Sequence, residues 1–416
     1  MLAAKEGQDA MQQLAELDLP HVAMETAEFA AHPWDFFEEA RQKHPWLATS
    51  INGIVVTEYE AIKELLWMDS KMRNSFAGVV EIMGAKGTEW GRFTENQMLA
   101  ASEEDHRKMR DIFAARFTPR YANSIRPVMR ETIDDLLDEW VPKGAFNFEE
   151  FISNYPISVM SKMAGGPLSA VPRLKKTLET LGGAFAMDPG MTPALVEAIA
   201  VIDLFVHELL ANRRTSPNTG GPPLLLDILS QEGGDAGLSE RQIADLIIFL
   251  YVAGYDTSKN MMTLIMYHLI SRPEIYRKCA EDIDYCRKVV EEAFRYTGTA
   301  TSFRATAEDI VFRDVLLPKD TMLFFPIGMA ARDPSAFEDP ETFDPERNLA
   351  TGTRHIAFGR GKHICLGQYI ARAQIQEGLH RIAQRIRNPR IAGDFGWRGF
   401  TGTWGLTALP IAFDPA

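Results

Sequence analysis

From Ile243 to Val252 the chain is apolar on almost every side of a helix, with Asp245 the one charge in the run. A helix without a polar face crosses a core instead of coating it. The pattern predicts one long helix over residues 239–270, opened by the capping box Ser239-Glu240-Arg241-Gln242. Further helical patterns cover residues 61–67, 106–117, 121–140, 196–214, 289–296 and 368–386. Short apolar runs predict strands at 46–48, 54–57, 310–312 and 322–325. Turn residues gather at Phe337-Glu338-Asp339-Pro340 and Asp344-Pro345. A Gly/Pro-rich stretch at 216–223 reads as a surface loop between helices. Helices dominate, so the expected fold is mainly α with a small β region.

At 416 residues the length alone permits more than one domain. No low-complexity linker divides the chain. The expected layout is an N-terminal extension, residues 1–20, before a single domain over 21–416. A net charge of −13 argues against a nucleic-acid partner. No run of about 18 uncharged apolar residues occurs, because Asp245 and Asp256 interrupt the best candidate. The first residues carry acids and no signal-peptide core. The chain is therefore expected in the cytoplasm, without a membrane anchor. Three cysteines cannot build a secreted disulfide framework. Cys279 and Cys286 read as buried, inert thiols.

Two segments carry polar chemistry in unusual places. Inside the long helix stands Ala253-Gly254-Tyr255-Asp256-Thr257-Ser258. A buried Asp is costly unless paired. Thr and Ser bond back to the preceding turn and loosen a helix. Ala253 and Gly254 leave room for a ligand against the backbone. The alternative is a helix bend with a satisfied Asp. The second segment is Phe358-Gly359-Arg360-Gly361-Lys362-His363-Ile364-Cys365-Leu366-Gly367. A helix follows it, so the thiol would stand near unpaired N–H groups that favour negative charge. That setting is expected to lower its pKa. A lone thiolate so placed is one of the few protein ligands for haem iron. A zinc site from His355, His363 and Cys365 lacks paired-ligand spacing and a fourth ligand. A dinucleotide loop fails because Ile364 stands where the third glycine belongs.

The cysteine segment resembles the haem-binding signature of the cytochrome P-450 superfamily, Phe-Gly-x-Gly-x-His/Arg-x-Cys-x-Gly, at every fixed position. Three further signatures follow the family's order, and the resemblance covers essentially the whole chain. It implies a single helical domain that holds haem b through an axial Cys365 thiolate, with Phe358 and Gly359 beside it. By the same resemblance Thr257 assists oxygen activation and Asp256 helps relay protons. Glu292 and Arg295, with Arg347 of the meander, are structural and steady the cysteine loop. His106, Arg110, Arg304 and His355 are the implied haem-propionate contacts. The family's Asp-Pro-Pro before the first histidine is replaced by Ser102-Glu103-Glu104-Asp105, beside the loop that borders the substrate pocket.

The implied activity is a monooxygenase that inserts one atom of O2 into a small hydrophobic substrate. The expected outcome is hydroxylation of a neutral terpenoid, steroid-like or aromatic compound. Family positions offer Phe76, Val79, Ile82, Phe93, Phe185, Leu250, Ala253, Phe303 and Phe400 as an apolar lining. One alternative is hydroxylation or demethylation of a fatty or aromatic carboxylic acid held by Arg73, Arg92 or Arg398. Another is a haem-thiolate isomerase or sensor, which would not need Thr257. No flavin or iron–sulfur module is present in the sequence. Electrons are expected from NAD(P)H through a reductase and a [2Fe–2S] ferredoxin. Arg354, Arg360, Lys362 and His363 would form the face that steers this acidic partner.

Overall fold

The computed structural model describes residues 11–114, 116–215, 224–348 and 353–415, without the side chains of Phe185, Arg214, Thr215 and Pro415. The predicted loop at 216–223 and the first ten residues of the expected extension lie outside the described residues. The central helix runs Glu240–Ile270, capped as predicted by reciprocal bonds between Ser239 and Gln242. It packs against Phe148–Ala164, Val171–Gly182 and Thr192–Thr215 in the larger of two cores. These neighbours bury most of it, as its missing polar face requires, and leave a stretch around Ala253 uncovered.

The smaller core lies under a five-stranded sheet, in the order Leu47–Ser50, Gly53–Val56, Met322–Phe325, Ser302–Thr306 and Met72–Arg73. The two inner pairings are parallel (Ile54 to Leu323) and antiparallel (Phe303 to Phe324). Gln12–Gln13 pair with Val315 and Leu316, and Leu14, Leu17 and Leu19 pack on the same core. The end of the expected extension is thus tied into the domain.

Two departures from the sequence pattern have clear causes. The helix expected over 121–140 is two helices, Pro119–Ser124 and Arg126–Trp140. Pro127 lacks an N–H, and it stands in the first turn of the second helix, where none is needed. The helix Phe148–Ala164 is buried on nearly every face and contains Pro156, so it shows no amphipathic stripe.

On the helix Ile283–Tyr296, Glu292 and Arg295 form a bidentate pair at 2.7 and 2.8 Å, both buried. Arg295 also donates to the carbonyls of Ala331, Pro340 and Thr342. Arg347 reaches Glu292 at 3.5 Å and donates to Asp339 O and Thr342 O. The Asp344 N–H completes the carboxylate. One helix turn therefore holds the backbone of the meander that leads to the cysteine loop.

Candidate active site

The cysteine loop is shaped by two glycines in the left-handed region, Gly359 at φ 72° and Gly361 at φ 69°. A Cβ on Gly361 would stand 2.2 Å from Asp69 Oδ2. That same oxygen accepts the Lys362 N–H at 2.6 Å, which pins the turn. The Cys365 N–H donates to Phe358 O at 2.8 Å and closes the loop on itself. Phe358 packs 4.6 Å from Phe294 and lies under Arg372 at 4.2 Å. The helix Gln368–Arg385 starts just beyond Gly367.

Cys365 is exposed, and the surface it exposes lines a cavity of about 380 Å³. Burial pushes its thiol up. The Gly367 N–H, Arg110, Arg372 and the Gln368 N–H pull the other way without reversing it. This corrects the expectation of a lowered pKa: desolvation outweighs the helix terminus in the free chain. A metal would supply the missing charge, since coordination displaces the proton.

Across the cavity stands the central helix, with Phe249, Leu250, Ala253, Gly254 and Thr257 facing in. Thr257 Oγ1 donates to Ala253 O at 2.9 Å, the back-bond expected of a mid-helix threonine. Asp256 is 3% exposed. Its Oδ1 accepts from Arg398 at 2.6 Å and Asn260 at 3.1 Å, and Lys259 stands 3.6 Å away. Lys259 itself pairs with Glu149 at 2.7 Å. Burial alone would lower the Arg398 pKa, and Asp256 reverses that. Asp256 Oδ2 has no partner and faces Gly182, where a Cβ would come within 2.7 Å of it.

The donor set at the cavity's edge fits a group bearing carboxylates. His106, Arg110, Arg304 and His363 meet there. The rings of His106 and His363 are 4.4 Å apart. His106 Nε2 and His363 Nδ1 are buried without partners. Burial pushes His363 down to about 3 and Arg304 down to about 10, the former aided by the neighbouring cations. Among the described residues Arg304 bonds only to Ser302 Oγ and Phe303 O, and Arg110 to Ile364 O. Cations crowded this way ask for anionic acceptors. Asn74, 3.4 Å from His363, joins the set. Nothing in the sequence distinguished Asn74 from other loop asparagines.

Other expected residues stand elsewhere. His355 does not line the cavity: its Nε2 meets Glu291 at 3.2 Å. Burial would raise the Glu291 pKa, but His355 and Arg372 bring it below its ordinary value. His363 faces inward, so it does not belong to an outer docking face. Phe76, Leu250, Ala253 and Phe303 line the cavity, whereas Val79, Ile82, Phe93 and Phe400 do not. On the short helix Phe76–Ile82 only the first residue faces in, and Ile82 is 46% exposed. Val79 and Phe93 are buried in the larger core, and Phe400 packs edge-on against Phe29 at 5.0 Å and Phe37 at 5.8 Å. The Phe185 side chain lies outside the described residues.

The cytochrome P450 family model matches residues 184–387. Luteothin monooxygenase of Streptomyces thioluteus is 30% identical over 408 residues, covering 96% of this chain and 97% of its own. The biotin biosynthesis cytochrome P450 of Bacillus subtilis is 29% identical over 94% of this chain and 98% of its own. The crystal structure of P450BioI in complex with hexadec-9Z-enoic acid ligated acyl carrier protein superposes with a TM-score of 0.83 at 26% identity. That match covers 93% of this chain and 100% of the other. The chain belongs to the cytochrome P450 family. It is an oxidoreductase of the monooxygenase class that acts on hydrophobic organic substrates. Among the described residues no helix is long and apolar enough to cross a membrane.

Proposed function

We propose that Cys365 would hold a b-type haem through its thiolate, with His106, Arg110, Arg304, His363 and Asn74 placed to receive the propionates. When bound, the haem supplies reductive activation of dioxygen, one atom entering the substrate and the other leaving as water. Phe358 shields the sulfur from water, and Gly359 lets backbone pass close to the ring. Thr257 Oγ1 stands at the cavity wall and can turn from Ala253 O to hold a proton there. Asp256, the residue before Thr257, relays protons through its free Oδ2. Electrons come from NAD(P)H through a reductase and a [2Fe–2S] ferredoxin, which docks beside Arg360 and Lys362.

The substrate is neutral and hydrophobic, of terpenoid, steroid-like or aromatic character, and an unactivated C–H bond is hydroxylated. One observation carries this choice. None of the three arginines that would hold a substrate carboxylate lines the cavity, and each is already ion-paired: Arg73 with Asp320, Arg92 with Asp245, and Arg398 with Asp256 of the cavity wall. The lining near Thr257 is Phe76, Leu250, Ala253 and Phe303, with Met98 and Met160 adapting to shape. A second reading, oxidation of a fatty chain, draws on the acyl chain named for the P450BioI complex. Spectral titration separates the two. Neutral terpenoids at micromolar levels should move the haem from low to high spin. A shift given only by fatty acids or their carrier-bound esters contradicts the neutral reading. An isomerase or sensor would show no substrate-dependent consumption of reductant.

A further inference from the structure

A second cavity of about 190 Å³ lies where the helix Pro33–Lys43 meets the turn Ala330–Arg332 and the meander. It shares no lining residue with the cavity at Cys365. Three hydrogen-bonding groups in its wall are not fully used. Thr57 is 3% exposed, and its hydroxyl has no partner. Trp34 Nε1 is buried without an acceptor. Arg41 makes one hydrogen bond, from Nη1 to the Thr57 carbonyl at 3.2 Å. Among the described residues no carboxylate is ion-paired with Arg41.

The acids nearby are engaged or peripheral. Asp333 accepts the Tyr59 and Ser335 N–H groups. Glu58 pairs with Arg313. Glu341 pairs with Arg332, whose guanidinium is sandwiched between Trp34 at 3.9 Å and Tyr296 at 4.4 Å. Glu38 is exposed at the rim. Burial lowers the pKa of both Arg41 and Arg332. The remaining wall is apolar, with Phe37, Ile62 and Met329.

We propose that this cavity binds a small monocarboxylate with a compact apolar body, at a site separate from the oxidation chemistry. An indole N–H and a guanidinium only donate, so their ligand must be rich in acceptors. The guanidinium fork suits the two oxygens of a carboxylate. The space equals about six waters at roughly 30 Å³ each, which fits a single aromatic ring with its acid. Glu38 and Glu341 at the rim repel a dianion more than a monoanion, so phosphate is the poorer ligand.

The test uses benzoate and inorganic phosphate with the full, haem-loaded chain, followed by calorimetry and by the Soret band together. Benzoate should give saturable heat without moving the Soret band, and phosphate should bind more weakly. Arg41→Ala and Thr57→Val should each weaken benzoate by about tenfold or more. Thr57→Val keeps shape and burial, so it decides alone if the arginine variant does not fold. No saturable heat would leave the cavity to water and overturn the proposal. Binding that survives both substitutions, that moves the Soret band, or that favours phosphate would overturn it equally.

Discussion

Arg398 donates to Asp256 at 2.6 Å, joining a C-terminal turn to the middle of the central helix across 142 positions of sequence. With Lys259 and Asn260 it holds one carboxylate oxygen and leaves the other bare. In the proposed relay the free oxygen is the one left to exchange a proton with Thr257. Asp256→Asn should keep haem and substrate binding while slowing reductant consumption by about 100-fold or more, the low end of the range for a lost general acid. Thr257→Ala should instead keep consumption and divert it to hydrogen peroxide. Arg398→Met should resemble Asp256→Asn in rate if it positions the carboxylate. Unchanged turnover in all three would show that protons arrive by another route.

The Glu292–Arg295 pair predicts a stability effect rather than a catalytic one. Both side chains are buried, and Arg295 alone serves three backbone carbonyls. Removing one partner leaves an uncompensated buried charge, at a cost of about 3–5 kcal/mol. Glu292→Ala or Arg295→Ala should lower the denaturant midpoint and lose haem together. Normal haem retention in a destabilised variant would separate the meander from the cysteine loop.

His268 gives a pH dependence independent of the haem. It is 8% exposed, and its Nε2 has no partner. Burial, then Arg272 and Arg332, push its pKa down to about 3. The unfolded chain takes up a proton near pH 6.5 that the folded chain refuses. Its contribution to stability is therefore full above that point and is lost as pH falls from about 6.5 to about 3. The slope is on the order of 1.4 kcal/mol per pH unit within that window. Denaturant unfolding at pH 5 and pH 7 should differ less in His268→Phe than in the parent chain. An equal difference would place the acid sensitivity elsewhere.

Arg360 stacks 5.3 Å from the exposed Trp67, and Lys362 stands 4.0 Å from the exposed Glu103. Both are next to the cysteine loop. Arg360→Glu or Lys362→Glu should raise the ferredoxin concentration for half-maximal rate, most at low salt. A change that is insensitive to ionic strength would argue against electrostatic docking there.

The parts of this site legible in the sequence were local ones. The central helix announced itself by its apolar run and its capping box, and the cysteine loop by its glycines. Strands Ile310–Phe312 and Met322–Phe325 matched their predicted bounds. Relations across the chain were mostly not legible, and the one between Glu292 and Arg347 came from the family resemblance and not from the residues themselves. Arg398 looked like a free cation until the fold set it against Asp256. His363 looked like a surface charge because its spacing says nothing of which way the loop turns it. Val79 and Ile82 were misplaced because facing on a two-turn helix depends on its rotation, which hydrophobicity alone does not fix. Phe148–Ala164 was missed for the same reason that the central helix was found, since burial on every side erases periodicity.

Ligation by Cys365 is tested most directly by the spectrum of the reduced carbon monoxide complex. Freshly prepared, folded protein should show the Soret band at the wavelength for which the family is named, and Cys365→Ala should abolish it. A band at the shorter wavelength of a haem without thiolate ligation, in intact parent protein, would contradict it. So would a thiolate-type band that survives in Cys365→Ala.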